Sequence, residues 1–190
     1  MTPRLLPDQK YLKECFRYSR RTGVLTWRVR PLRHFRNRQA WAAFNNRYAG
    51  HEAGYVMHNP RKNYFYRAIG LGGKHYFATR IIYKMVTDLE PVEIDHRDRN
   101  SLHNAWRNLR AADGSENKCN ILQRAGRSGY RGVTVLNGKF RARIKKNGRL
   151  IHIGTYVYPK QAHEAYVKMA KLLHGEFAVT GTRAAPEARP

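Results

Sequence analysis

The residues best suited to chemistry lie in the middle of the chain. Ile94-Asp95-His96 ends a β-like run. An Asn-rich loop follows, holding Asn100, His103 and Asn104, and then comes Asn108-Leu109-Arg110. Asn117 and Asn120 fall on a short helix that Ser115 is placed to cap. Neighbouring strand residues point to opposite faces, so Asp95 and His96 share a site only where the strand ends and opens into the loop. Hydrolysis of a phosphodiester needs an activated water, a base for its proton and a cation for the leaving oxygen. An imidazole, with an ordinary pKa of about 6.5, is poised for the base role, which His96 fills, with His103 as its rival. Asp95 and the carbonyl of Asn117 are hard oxygen ligands, suited to magnesium or manganese rather than zinc. Asn120, one turn on, is the rival ligand. One carboxylate and one amide make a weak site, so the scissile phosphate must complete it.

The charge distribution supports a cation here. Among 190 residues, 37 Lys and Arg face 13 Asp and Glu, a net charge of +24. Seven of the thirteen acids crowd into Asp88–Glu116, and none lies between Glu14 and Glu52, Glu52 and Asp88, or Glu116 and Glu164. A chain that only coated phosphates would gain nothing from central carboxylates, whereas a bound cation brings carboxylate and phosphate together. With a sequence pI near 10.7, the expected partner is a polyanion, nucleic acid first. A hydrophobic fraction of 42% with 12% aromatics excludes wholesale disorder. No apolar run approaches the ~18 residues of a membrane span, and the opening MTPRLLPDQKYLKE lacks a signal-peptide stretch. The expectation is an intracellular, cytoplasmic protein with no membrane contact. Cys15 and Cys119 are too few for a disulfide scaffold and read as packing residues, and Trp27, Trp41 and Trp106 likewise read as core.

The surrounding elements must position this site. Asp8 can cap a short helix with Leu12, Cys15 and Phe16 on one face, and Val24–Trp27 reads as a strand. Residues 30–48, rich in Arg and Asn, read as a loop that orders on DNA. Tyr64–Leu71, Gly72-Gly73 and Lys74–Thr79 read as a hairpin, followed by a short helix over Arg80–Val86.

Beyond residue 128 the pattern is plainer. Asn137-Gly138 and Asn147-Gly148 each sit between strand-like runs, a strong hairpin signal. The middle run alternates, with Lys139, Arg141, Arg143 and Lys145 on one face and Phe140, Ala142 and Ile144 on the other. Pro159 starts a helix in which Ala162, Ala165, Tyr166, Met169 and Leu173 recur at helical spacing, and Gly175 ends it. The expected result is a three-stranded meander backed by one helix, its bare face carrying Arg131, Arg141, Arg143 and Arg149. Such a ribbon fits a DNA major groove, where Arg makes bidentate contacts with guanine. A solubility face would mix signs, yet Asn117–His163 holds eleven Lys and Arg and no acid.

Two resemblances add to this reading. Gly129-Tyr130-Arg131-Gly132-Val133, Lys139–Ile144, Ile153–Tyr156 and Ala162–Tyr166 resemble the ethylene-response-factor type DNA-binding domain of plant regulators and mobile endonucleases, with Phe140 where that family usually has Trp. Ile94–Asn120 resembles the HNH (His-metal finger) endonucleases, especially the small phage and intron-encoded ones. Asn108 and Asn117 lie 12 and 21 residues after His96, and Asn117 makes this an HNN variant. The upstream part, Tyr11–Trp27 and the hairpin to Ile81, is similar to their leading segment, with Thr79 where His often precedes the Arg. The HNH resemblance implies His96 as general base, Asp95 and Asn117 as metal ligands, and Asn108 as the residue that orients His96 and braces the loop.

The combined expectation is an α+β chain with an N-terminal α+β segment (1–90), a ββα-metal finger (91–122), a linker (123–128), a meander-plus-helix domain (129–178) and a disordered tail (179–190). Its expected activity is metal-dependent endonuclease cleavage of double-stranded DNA, homing-type and nicking one strand, by a monomer on DNA with Mg2+ or Mn2+ and no small-molecule cofactor. Arg110, Arg131, Lys139, Arg141, Arg143, Lys145 and Arg149 are the expected DNA contacts. A DNA-binding regulator with a non-catalytic finger, or an RNA-binding protein, are the alternatives from other classes.

Overall fold

In the computed structural model, which describes residues 5–60, 63–114, 117, 120, 123–124 and 126–183, the chain is α+β and divides into two units, Met1–Ala111 and Ala112–Pro190. The first unit opens with helix α1 (Gln9–Cys15), capped as expected: Asp8 Oδ1 accepts from the Tyr11 amide at 2.7 Å. Strands β1 (Phe16–Tyr18) and β2 (Leu25–Trp27) pair antiparallel. The stretch expected to be a loop holds a 3-10 turn at Leu32–His34 and an eleven-residue helix α2 (Arg38–Tyr48), capped by Asn37 Oδ1 on the Ala40 amide. Its Phe44 ring packs on Trp27, Phe35 and Tyr48, which supplies the driving force that the polar composition obscured.

Strand β3 (Tyr55–Asn59), absent from the sequence reading, joins β4 (Tyr64–Leu71) and β5 (Lys74–Phe77) in an antiparallel sheet of order β3-β4-β5. Helix α3 (Ala78–Thr87) follows, burying Ala78, Ile81, Ile82 and Met85. These residues join Leu12, Cys15, Phe16, Leu25, Trp27, Ile69 and Leu71 in one core, against which Trp106 packs. Strands β6 (Glu93–His96) and β7 (Leu109–Ala112) pair beside it.

In the second unit, β9 (Val133–Leu136), β10 (Lys139–Lys146) and β11 (Arg149–Tyr156) form the expected antiparallel meander. Both Asn-Gly turns place both residues at positive φ, with Asn137 at 50°, Gly138 at 71°, Asn147 at 49° and Gly148 at 80°, the type I′ geometry that matches strand twist. Helix α4 (Pro159–His174) runs from the expected proline to the expected glycine cap and buries Ala162, Tyr166 and Ala170 against Val133, Ala142 and Ile144. Residues expected to be linker and tail meet instead: β8 (Gln123–Arg124) and β12 (Thr182–Arg183) pair in parallel. Cys119 and the Ser115 cap lie outside the described residues. Among the described residues, no helix is long and apolar enough to cross a membrane.

Candidate active site and cationic sheet

Strand β6 carries Asp95 and His96 to its end, and the loop behind them closes where the Arg97 amide donates to the Asn108 carbonyl at 2.9 Å. Asn108 is 5% exposed and ties this loop together. Its Oδ1 accepts from the Asp98 amide at 3.0 Å, and its Nδ2 donates to Asp98 Oδ1 at 2.9 Å and to the His103 carbonyl at 2.6 Å. The second Asp98 oxygen meets His103 Nδ1. Burial would raise the Asp98 pKa, but the bonds from His103, Asn100 and Asn108 outweigh it and hold the carboxyl below its ordinary value.

Asn104 holds His96. His96 Nε2 lies 3.0 Å from Asn104 Oδ1, and that oxygen also accepts from Thr79 Oγ1 at 3.0 Å. Asn104 is itself fixed: Tyr18 Oη donates to its carbonyl at 2.8 Å, and it is 4% exposed. Gly23, at φ +83°, lies so close that a Cβ there would come within 2.3 Å of the Asn104 carbonyl carbon. An amide oxygen only accepts, so the imidazole carries its proton on Nε2 and Nδ1 is the basic atom. Burial lowers the His96 pKa; the Asn104 bond and the carboxylates of Asp98 and Asp95 offset part of that. Burial thus favours the neutral ring, the state a base requires. The sequence signal for this contact was present in Asn104 itself and in Thr79, which replaces an expected His before Arg80.

Asp95 and Arg110 form a buried pair. Arg110 Nε lies 2.8 Å and its terminal nitrogen 2.6 Å from Asp95 Oδ2, with side chains 5% and 6% exposed. Arg110 therefore braces the strand pair and does not stand on a DNA-facing surface, a correction forced by the need of a buried carboxylate for a charged partner. Asn117 lies in the second unit in a helical turn, its amide donating to the Asp113 carbonyl at 3.0 Å, and Asn120 is 4% exposed. Among the described residues, no cluster of three or more His, Cys, Asp or Glu could hold a metal. Taken singly, the Asp95 carboxylate and the Asn117 amide are hard oxygen donors of the kind a divalent magnesium ion takes.

The meander presents the second cluster. Residues opposite one another in antiparallel strands share a face, and Arg141 lies opposite Thr134 and Thr155, Arg143 opposite His152, and Lys145 opposite Leu150. A bulge between Ala142 and Arg143 skips Ile153, which packs into the core. Lys139 and Lys145 are exposed, and Arg141 and Arg143 are half-buried. The Arg141 Nε is buried and has no hydrogen-bond partner among the described residues.

Two cations expected on this face are elsewhere. Arg131 is 7% exposed, its Nε donating to Tyr166 Oη at 3.0 Å. Arg149 is exposed but pairs in register with Lys146, whose Nζ donates to the Leu173 carbonyl on helix α4, so Arg149 shares the helix-side face. Cys15 is buried, which pushes its thiol up to about 11 and makes it inert.

No family model matches the chain. Over 102 residues it is 32% identical to the "Uncharacterized HNH endonuclease L560" of Acanthamoeba polyphaga mimivirus, a match covering 52% of this chain and 54% of that protein. The chain thus spans about half the length of the curated relative it matches. Over that stretch it is similar to a protein named as an HNH endonuclease.

Proposed function

We propose that this chain is a divalent-metal-dependent endonuclease that hydrolyses phosphodiester bonds in duplex DNA, nicking one strand per engagement. The observation that carries the reading is the Thr79–Asn104–His96 chain of hydrogen bonds, which sets the proton on Nε2 and makes Nδ1 the atom that takes a proton. An imidazole held in one tautomer, below its ordinary pKa and beside a carboxylate, has the properties of a general base. The similarity to a protein named as an HNH endonuclease supports the same chemistry.

In this reading His96 Nδ1 removes a proton from water as its oxygen attacks phosphorus. The bond to the 3′ oxygen breaks, that oxygen takes a proton from solvent, and the ends are a 5′-phosphate and a 3′-hydroxyl. Asp95 would offer a hard oxygen to the divalent ion, as Asn117 would with its amide carbonyl, each taken by itself; when bound, the ion stabilises negative charge on the phosphate and the leaving oxygen. Asn104 orients the base, and Asn108 holds the loop that carries both. Lys139, Arg141, Arg143 and Lys145 grip the duplex by phosphate and base-edge contacts. One such site per chain meets one strand at a time, so nicking is the expected outcome.

The test is conversion of supercoiled plasmid to open circles with Mg2+ or with EDTA, followed by ligation to identify the ends. Magnesium-dependent, religatable nicks support the proposal. Tight duplex binding with no cleavage under Mg2+, Mn2+ or Ca2+ would favour a regulator instead.

A further inference from the structure

The sheet of β3, β4 and β5 has one face in the core, through Ile69, Leu71 and Tyr76. Register places Tyr55, Met57, Tyr64, Tyr66, His75 and Phe77 on the other. Three of these are well exposed, Tyr55 at 48%, Met57 at 38% and Phe77 at 44%. The rings fall in two groups: Tyr66 meets Phe77 with centroids 4.8 Å apart and Tyr64 at 5.8 Å, and Tyr55 meets His75 at 6.3 Å. Tyr66 Oη also donates to Met57 Sδ at 3.6 Å. Neither the catalytic proposal nor the cationic meander uses this face.

Its composition selects the partner. An apolar strip of this kind on water-exposed sheet marks a binding surface rather than random exposure. Asn59 and Ala68 share the face; of the other six side chains five are rings and none carries a fixed charge, so its main offering is flat π surface. Nearby, Arg67, Arg80 and Lys84 are paired with Glu52, Glu90 and Asp88, and it is the net charge of +24 on the whole chain that favours a polyanion. Nucleobases match both properties, but in a duplex their faces are hidden by stacking. Only unpaired bases can lie on the rings, as on the stacking platforms of single-strand binding proteins. We infer that the outer face of the β3-β4-β5 sheet binds a single-stranded DNA segment by stacking its unpaired bases on Tyr55, Tyr66 and Phe77. The inference takes DNA as the polyanion from the proposed function, and it needs no cleavage.

The experiment is fluorescence anisotropy of the full chain in EDTA with a labelled oligo-dT and, in parallel, a duplex of equal length. The double variant Tyr55→Ala/Phe77→Ala should lose about 30-fold or more in affinity for the single strand and less than about twofold for the duplex, which the meander grips. Unchanged single-strand affinity would overturn the inference. So would an equal loss on both probes, or a shift from dimer to monomer in sedimentation, which would make a second copy the occupant. If the alanine pair lowers the melting temperature, Tyr55→Leu/Phe77→Leu decides, since it keeps apolar bulk and removes only the rings. A chain that binds oligo-dT through these rings but never nicks plasmid would defeat the nuclease reading and leave this one standing.

Discussion

Replacing Arg110 by Met tests the part of the site that is most fully enclosed. Asp95 and Arg110 are 5% and 6% exposed, and both guanidinium contacts fall on one carboxylate oxygen, at 2.6 and 2.8 Å. Removing one member of a buried ion pair leaves the other as an uncompensated charge, which costs about 3–5 kcal/mol. At this unit's size, ~4 °C of melting temperature accompanies each kcal/mol, so Arg110→Met should melt about 12–20 °C lower. Replacing both partners by apolar residues of similar volume is often neutral, because both desolvation penalties vanish. Asp95→Leu/Arg110→Met should therefore be less destabilised than Arg110→Met alone. Urea unfolding followed through tryptophan fluorescence, with Trp27, Trp41 and Trp106 all in this unit, measures all three differences. If Arg110→Met changes stability by less than about 0.5 kcal/mol, the range of ordinary surface substitutions, the pair is not enclosed and the placement of Asp95 fails with it.

Burial holds His96 below its ordinary pKa, so the acid limb of nicking should lie below pH 6.5, read from single-turnover rates between pH 5 and 8. The unfolded chain binds more protons than the folded one between that lowered value and about 6.5. The His96 contribution to stability is therefore fully present above this window and lost as pH falls through it. Asn104→Ala releases the imidazole and should slow nicking by roughly 10²-fold with duplex binding retained, the scale of a misplaced reacting group. Gly132 sits at φ +74° with the Tyr166 ring 2.1 Å from any Cβ, so Gly132→Ala should cost about 1–3 kcal/mol by overpacking alone, measured by thermal unfolding. Lys145→Ala should reduce the magnitude of the log–log salt slope of duplex binding by about 1 if Lys145 meets a phosphate. Arg143→Ala should instead relax sequence preference, seen by selection from random DNA.

The second unit was the more legible half because its signals are local. Two Asn-Gly turns, strict alternation over Lys139–Lys145 and a helix bounded by Pro159 and Gly175 each act within a few residues. The first unit depends on distant partners. Strand β3 shows no inward-outward alternation, since Tyr55, Val56, Met57 and His58 are all exposed, and it exists as a strand through its pairing with β4. Helix α2 hides its Trp41, Phe44 and Tyr48 spacing among Arg and Asn, and only the Trp27 ring reveals what that face packs on.

At the site, Asp95-His96 at a strand end could be read from the residue pattern, and Asn108 as a brace of its loop came from the HNH resemblance. The roles of Arg110, Arg131 and Asn104 could not. A cation in a basic chain reads as a phosphate ligand until a buried carboxylate or a tyrosine hydroxyl is found beside it. Asn104 reads as one more turn residue until His96 and Thr79 converge on its amide.

The most direct measurement is single-turnover cleavage of an end-labelled duplex by wild type and His96→Ala, with duplex affinity measured on the same preparations. The expected result is a rate loss of about 10²–10⁴-fold at an affinity unchanged within a few-fold. Equal cleavage rates for the two proteins would contradict the assignment of His96 as the base.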